Sequence, residues 1–370
     1  ARPSIADPFL PKKIEEGKIQ DIRECIGCNI CISGDMTMSI SRCTQNPTFM
    51  EEWRKGWHPE KIEPKGSSSK VLIIGSGPAG LEAALACANR GYEVTLTEAI
   101  DKIGGRVSRE RNLPGLSAWG RVADYREYQL SQKSNVETYL KSNLDVNQVL
   151  EFGFENVCIA TGSEWRVDGV SRQHVIPIPN DQKMPMFTPD DIMNNKIPQG
   201  KVIIYDDDHY YMGGVIAELL IEKGCEVTLV TTSAYVSEWT KNTLEQEEIQ
   251  KRLIEMGLNI KLNKGIFSIH SNFVKINCIY TQNKESLEAD AVVIVASQKP
   301  KDKLFTDLKL EKEKWKDAGI NTIKIIGDAN APGPIAWATY AGHRYARELD
   351  KDIIEDALPF RREITNLKSS

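Results

Sequence analysis

The chain lacks any uninterrupted apolar run near the roughly 20 residues needed to cross a bilayer. Its 370 residues are 41% hydrophobic and 27% charged, a mixture that argues against a membrane protein and for a soluble globular one. It also lacks a basic block: lysines and arginines are scattered among acids, and the net charge is -5. Nucleic acid is thereby disfavoured as the main partner, and a redox or small-molecule role fits better. No charged segment followed by a short apolar one opens the chain, so nothing signals secretion and the cytoplasm is the expected compartment. Met is absent from position 1, and Ala1-Arg2-Pro3-Ser4-Ile5-Ala6-Asp7-Pro8 reads as the middle of a longer protein with an upstream part missing. At this length two or three domains of roughly 100 to 200 residues are expected, and a disulfide framework is not needed.

What is present is concentrated. Four of the eight cysteines, Cys25, Cys28, Cys31 and Cys43, fall in one short stretch that includes Gly27, Asn29, Ser33 and Gly34. Thiolates bind both zinc and iron-sulfur clusters. Zinc sites commonly pair two Cys-x-x-Cys knuckles, whereas a Cys-x-x-Cys-x-x-Cys triplet with a distant fourth cysteine suits a [4Fe-4S] cubane, a one-electron carrier. The spacing favours the cubane, with a zinc knuckle or ordinary core cysteines as the alternatives. Cys87, Cys158, Cys225 and Cys278 stand alone and read as small buried hydrophobes.

After the soft link 64–69, Val71-Leu72-Ile73-Ile74 reads as a buried parallel strand. It runs into Gly75-Ser76-Gly77-Pro78-Ala79-Gly80 and a helix from Leu81 to Asn89. Strand, glycine turn and helix in this order form the dinucleotide fingerprint. Gly75 makes the tight turn, Gly77 lets the main chain approach a pyrophosphate, Gly80 allows close helix-strand packing, and the helix N-terminus faces the phosphate charge. A second strand, Tyr92 to Leu96, leads to Glu98-Ala99, near the offset of roughly 20 residues at which an acid takes the ribose hydroxyls. Downstream, Ile103-Gly104-Gly105-Arg106 offers a second backbone turn and a cation near the pyrophosphate. Val157-Cys158-Ile159-Ala160-Thr161-Gly162 is expected to close the sheet beside the nucleotide.

A second strand-helix-strand unit is expected from Lys201-Val202-Ile203-Ile204-Tyr205, a helix around Val215 to Lys223, a strand at Glu226 to Val230 and a closing strand at Ala291 to Ala296. Its phosphate turn reads Asp206-Asp207-Asp208-His209, with Gly213 and Gly214 arriving only later. Three carboxylates would repel a pyrophosphate, so this half is expected to be a Rossmann shell without bound NAD(P)H. The acidic run reads as a solvated turn in preference to a cation site, and His209 has no evident ligand partner. The chain then returns through Ile323-Lys324-Ile325-Ile326-Gly327-Asp328-Ala329 to a helix from about Ile335 to Leu349. Asp328 either meets the ribityl or phosphate region of a cofactor or caps that helix.

The fold class is therefore α/β: two Rossmann-like nucleotide-binding domains of the flavoprotein disulfide reductase type behind a cysteine-rich iron-sulfur segment. The expected division is 1–66 for the end of a preceding barrel and the [4Fe-4S] cluster segment, 67–165 with 299–370 for the ADP/FAD-type domain, and 166–298 for the second domain.

These pieces, with Ala1 to Pro11, Cys25-Ile26-Gly27-Cys28-Asn29-Ile30-Cys31-Ile32-Ser33, Cys43-Thr44-Gln45-Asn46, Gly56-Trp57-His58-Pro59-Glu60-Lys61 and Leu113-Pro114-Gly115-Leu116, resemble the C-terminal part of a known family. It is the trimethylamine/dimethylamine dehydrogenase branch of the iron-sulfur flavoproteins, a group that includes histamine dehydrogenase and 2,4-dienoyl-CoA reductase. The Gly-Trp-His-Pro-Glu-Lys run points to the amine dehydrogenases within it. The resemblance implies an FMN-binding TIM barrel, absent here, that oxidises the substrate, with Arg2 near the FMN phosphate. It implies electron flow from FMN through the [4Fe-4S] cluster to an electron-transfer flavoprotein, and ADP held structurally where relatives bind FAD. A homodimer is implied for the full-length enzyme. No catalytic residue can be assigned, because the family's lie on the barrel. Asn29 and Ile30 would tune the cluster, and Trp53, Trp57, Trp119 and Tyr125 either border an electron exit surface or simply pack. The rival reading is an FAD-containing NAD(P)H-dependent iron-sulfur reductase subunit, and a weaker one is a non-catalytic nucleotide-binding scaffold.

Overall fold

The computed structural model describes residues 1–52 and 57–351. Trp53 and Gly56 of the motifs above, and positions 352–370 of the expected first nucleotide domain, lie outside the described residues. In chain order the strands are β1 (Val71–Ile74), β2 (Val94–Thr97), β3 (Val136–Tyr139), β4 (Asn156–Ile159), β5 (Ser163–Trp165), β6 (Met186–Phe187), β7 (Lys201–Asp206) and β8 (Glu226–Thr231). They continue as β9 (Asn259–Lys261), β10 (Lys264–Ile269), β11 (Phe273–Cys278), β12 (Lys284–Glu288), β13 (Ala291–Val295), β14 (Gln298–Pro300) and β15 (Thr322–Ile325). The helices that position the site are α1 (Ile30–Met36), α2 (Pro78–Arg90), α3 (Val107–Glu110), α4 (Arg121–Ser131), α5 (Met212–Glu222) and α6 (Ile335–Glu348).

Two five-stranded parallel sheets carry the fold. The first has the order β15-β4-β1-β2-β3, with β1 central and buried along its whole length, as a strand covered on both faces requires. Alanine-rich α2 lies on it almost entirely buried and is crossed by α6, with Ala79, Ala83, Ala338 and Ala346 in the shared core. Small side chains let the two helices approach closely: a Cβ added at Gly342 would come within 2.2 Å of the Ala79 carbonyl oxygen. The second sheet has the order β6-β13-β7-β8-β9, again parallel, with β13 buried at every position and α5 beside β7 and β8.

Between them, β5 and β14 form a two-stranded antiparallel ribbon where the chain leaves one sheet and returns to the other. An antiparallel three-stranded sheet, β10-β11-β12, packs beside the second parallel sheet through Ile266, Val274 and Ile276. The sequence reading did not anticipate it, because its strands run only five or six residues and share no single pattern of burial. The fold class is as expected: α/β with two parallel nucleotide-type sheets. No helix among the described residues is long and apolar enough to cross a membrane.

The cysteine assignment outside the cluster is half right. Cys87 and Cys158 are fully buried in the first domain, and desolvation pushes both thiols up. Cys225 and Cys278 are only partly buried. Cys278 ends β11 at a hairpin, where hydrogen bonds from Thr281 and Tyr280 bring its thiol down to about 7.

Candidate functional site

The glycine turn is built as its sequence demands. Gly75 follows β1 with φ of 102°, and a Cβ there would sit 2.4 Å from the Ala160 carbonyl oxygen at the end of β4. A Cβ at Gly80 would sit 1.9 Å from the Gly75 carbonyl oxygen, so α2 rests directly on the turn. Gly77 meets nothing within 4 Å and faces open space, and no side chain caps the start of α2. The positive end of a thirteen-residue helix is therefore open toward a cavity of about 770 Å3.

Gly75, Ser76, Gly77, Pro78, Ala79, Glu98, Ala99, Gly105, Arg106, Ala160, Thr161, Gly162 and Asp328 all line that cavity. Gly80 lies beneath it. The Glu98 carboxylate is turned back over the turn, accepting from the Ser76 amide at 2.9 Å, the Ser76 hydroxyl at 2.6 Å and the Ile100 amide at 3.2 Å. These bonds hold one acid at the cavity rim.

Arg106 and Asp328 depart from expectation. Arg106 reaches the cavity wall, but its guanidinium is engaged by protein: Nε with Glu110 at 3.1 Å, Nη2 with Asp328 at 2.8 Å, and Nη1 with Gln298 and, at 3.4 Å, with Ser163. It is a cross-brace and not a free cation beside a pyrophosphate. Asp328 does not cap α6, whose N-cap is Pro334. Its second oxygen accepts from the Gly333 amide at 3.3 Å.

A second cavity of about 670 Å3 lies on the other side of that brace. Cys28, Ile30 and Thr44 form one wall, Trp119, Trp165, Tyr210, Tyr211 and Trp239 others, and Asp207 and Asp208 lie at its second-sheet side. The rings form a connected row: Trp119 to Tyr211 at 4.5 Å, Tyr211 to Tyr210 at 4.8 Å and Tyr210 to Trp239 at 4.8 Å.

The acidic turn is not solvated, contrary to the sequence reading. Asp206 and Asp207 are 0% and 1% exposed. The Asp206 carboxylate lies against Gly213 in the first turn of α5, where a Cβ would meet it at 2.6 Å, and accepts from the His209 amide at 3.0 Å. The protein's own carboxylate thus lies beside the first turn of this second helix, without capping it. Burial raises the Asp206 carboxyl to about 7, with neighbouring Asp208 adding to the rise, and burial brings Asp208 to about 6. Asp207 goes the other way: burial opposes it, but hydrogen bonds from His209, Ser171, Gln173 and Thr232 hold its carboxyl well below the usual range. His209 does have partners, Thr232 at 2.9 Å and Asp207 at 3.3 Å.

In the cysteine loop, Gly27 and Asn29 both take positive φ, 72° and 52°, and turn the chain into α1. The Gly27 amide donates to Cys25 Sγ at 3.4 Å, and the Thr44 hydroxyl lies 3.2 Å from Cys28 Sγ. The amides of Gln45 and Asn46 bond to Cys43. Burial lifts the Cys28 thiol to about 12, and the charges of Cys43 and Cys31 add to the lift; Cys31 in turn feels Cys43 and Cys25. The four sulfurs are thus electrostatic neighbours, although among the described residues no three Cys, His, Asp or Glu side chains are drawn together as the ligands of one ion. Their donor chemistry fits a larger thiophilic core: soft sulfur ligands, amide hydrogen bonds to the sulfurs, and a desolvated site where cationic iron would restore the thiolates. Arg2 is exposed and bonds to Asn29 of this loop.

A fully buried guanidinium lies behind Cys43. Arg126 of α4 pairs with Glu82 of α2 at 2.7 Å and donates to the side chain and backbone oxygens of Gln45 at 3.0 and 3.1 Å. His343 of α6 bonds the other Glu82 oxygen at 2.8 Å. The sequence reading missed Arg126, Gln298 and Tyr211, whose partners are remote in the chain; Thr44 and Gln45 could have been suspected from their place after Cys43. Trp57 and Trp119 are each 9% exposed, packed on Tyr340 and Tyr211 respectively, and Tyr125 is partly buried beneath Arg23. Each of these rings packs against a neighbour. Trp53 is outside the described residues.

A family model for the pyridine nucleotide-disulphide oxidoreductases matches residues 69–322. The chain belongs to that family. Histamine dehydrogenase from Rhizobium sp. 4-9 superposes with a TM-score of 0.95 at 64% identity, covering 100% of this chain and 57% of the other. The 6-hydroxypseudooxynicotine amine oxidase from Pseudomonas geniculata N1 gives 0.91 at 46% identity, covering 95% of this chain and 52% of that one. Dimethylamine dehydrogenase of Hyphomicrobium sp. (strain x) is 38% identical over 98% of this chain and 53% of its own length. The chain spans about half the length of the relatives it matches. The resemblance to the amine dehydrogenase branch is borne out, and the chain belongs to an oxidoreductase lineage.

Proposed function

We propose that this chain is the electron-transfer portion of an amine dehydrogenase of the trimethylamine/dimethylamine type. Residues 1–66 carry the cluster, 67–165 with 299–370 an adenine nucleotide, and 166–298 a Rossmann shell that takes no NAD(P)H. Cys25, Cys28, Cys31 and Cys43 hold a [4Fe-4S] cluster, which supplies one-electron storage when bound. Gly75 to Gly80 and Glu98 hold ADP as a structural ligand: the turn and the α2 N-terminus take the diphosphate, and the acid takes the ribose. An FMN-binding barrel outside this chain would deliver the electrons, with Arg2 and Asn29 on the side facing it, and an electron-transfer flavoprotein would accept them. Eight cysteines without a disulfide agree with a reducing compartment, the cytoplasm.

The observation that supports this reading best is the 64% identity with histamine dehydrogenase over the whole of this chain, with Cys28 of the cysteine loop on the wall of the aromatic cavity. The inward-turned Asp206 supports the assignment of the second half, because a buried carboxylate beside the first turn of α5 would repel a pyrophosphate. The rival NAD(P)H reductase would need to bind one there.

The deciding measurement is an anaerobic visible spectrum of the purified chain, with the acid-released nucleotide identified by mass spectrometry. Broad absorption bleached by dithionite, with ADP released, is expected. Resolved flavin bands with FAD released would favour the reductase, and a colourless protein would leave only a nucleotide-binding scaffold.

A further inference from the structure

We propose that Arg106 decides which adenine nucleotide this chain holds. Its contacts with Asp328 and Gln298 wall off the glycine-loop cavity from the aromatic one, so that the site takes a nucleotide ending at its diphosphate and rejects one extended by a flavin. This deepens the proposed function and rests on its reading of the glycine loop as an adenine-nucleotide site.

The two cavities share three wall residues, Arg106, Gly333 and Ile335. Of these only Arg106 has a side chain that binds both banks: Gln298 and Ser163 on the β14-β5 ribbon, and Asp328 on the turn after β15. The Ser163 hydroxyl closes the ring by donating to Gln298 at 2.6 Å. A dinucleotide whose pyrophosphate lies on the glycine turn must send its second half from one cavity into the other, across this wall.

Three features make the wall hard to displace. Arg106 is held by two carboxylates, and Glu110 is 1% exposed, so withdrawing the guanidinium would strand buried negative charge. Tyr211 donates to the same Glu110 oxygen at 3.0 Å, tying the brace to the aromatic row. Asp328, the acid to which a polyol chain would donate, already has one oxygen on Arg106 and the other on the Gly333 amide. Space is not what excludes a flavin, because the inner cavity is about 670 Å3 and ringed by aromatic side chains that would suit one.

The test is equilibrium binding of ADP and of FAD to the full chain freed of resident nucleotide, followed by calorimetry and flavin fluorescence. The unaltered protein should prefer ADP by about 100-fold or more, near 2.7 kcal/mol. Arg106→Ala and Arg106→Gln should lower that preference, read as the ratio of the two affinities, by about tenfold or more. Gln298→Ala opens the opposite bank without touching the buried carboxylates and should act in the same direction, which covers the case in which the arginine variants do not fold. The proposal is overturned if the unaltered protein binds FAD as tightly as ADP, or if the folded variants keep both ADP affinity and the original preference. If neither nucleotide binds the unaltered protein, the adenine-nucleotide reading itself is lost, and this inference with it.

Discussion

The two parallel sheets are built from the same strand-turn-helix unit, yet their turns place charge oppositely. After β1 the turn is all small residues, its helix start is open, and the nearest acid, Glu98, stands back at the rim on Ser76. After β7 the turn holds carboxylates, two of them buried, and Asp206 lies against Gly213 in the first turn of α5 with one oxygen left without a partner. The same difference runs into the cores. In the first domain the buried acid Glu82 is matched by Arg126 and His343, whereas in the second the nearby His209 only partly offsets the burial that raises Asp206. One frame presents small residues before its helix; the other sets a buried carboxylate beside the first turn of its helix. The same strand-helix frame therefore accommodates opposite charge at its turn.

The largest test of this contrast is Arg126→Ala. It strands Glu82 in the core and removes two bonds to Gln45, so urea unfolding should show a loss of about 4 kcal/mol. A loss under about 1 kcal/mol would mean that the first half does not depend on matched charge.

Next is Gly80→Ala, which drives a Cβ into the Gly75 carbonyl. A cost of about 3 kcal/mol is expected, with loss of ADP binding by calorimetry. Retained binding would show that the turn tolerates displacement.

The two halves should also respond to pH in opposite senses. Asp206 has a folded-state pKa of about 7, above its ordinary value, so the native protein keeps a proton that the unfolded chain gives up. Its contribution is fully present below about pH 4 and is lost as pH rises through 7. Asp206→Asn should therefore stabilise the protein at pH 8 by about 2 kcal/mol and flatten that slope. Glu82 is the mirror case: burial opposes ionisation, but Arg126 and His343 bring it to about 2. Its contribution is present above the ordinary carboxyl value and is lost as pH falls toward 2. Thermal unfolding of the unaltered protein from pH 2 to 9 reads both, and a stability that changed in one sense over the whole range would break the comparison.

The smallest effect is that of Glu98→Gln, which keeps the bonds to Ser76 in part and weakens the grip on the ribose. ADP affinity should fall by about tenfold, or 1.4 kcal/mol. An equal effect on a nucleotide lacking ribose hydroxyls would remove Glu98 from that role.

By itself the sequence determined what is local. The run Val71 to Ile74, the glycine turn, the alanine-rich helix and Glu98 follow from hydrophobic period and from backbone conformations open only to glycine, and the same logic found β7, β8, β13, β15 and α6 within a few residues. The cysteine triplet was legible because its spacing is a property of one short loop. The antiparallel β10-β11-β12 sheet was not, since its short strands acquire meaning only against the face they cover. Nor could the sequence reading tell an acidic turn that faces water from one that faces the core, for the charges read alike in either case. That was decided by the tertiary structure, as were the commitment of Arg106 to Asp328, Glu110 and Gln298 and the bond between Arg126 and Gln45, 81 residues apart. The reason is physical. Backbone preference acts between chain neighbours, whereas the energy of a charge is set by its burial and by partners that only folding brings within reach.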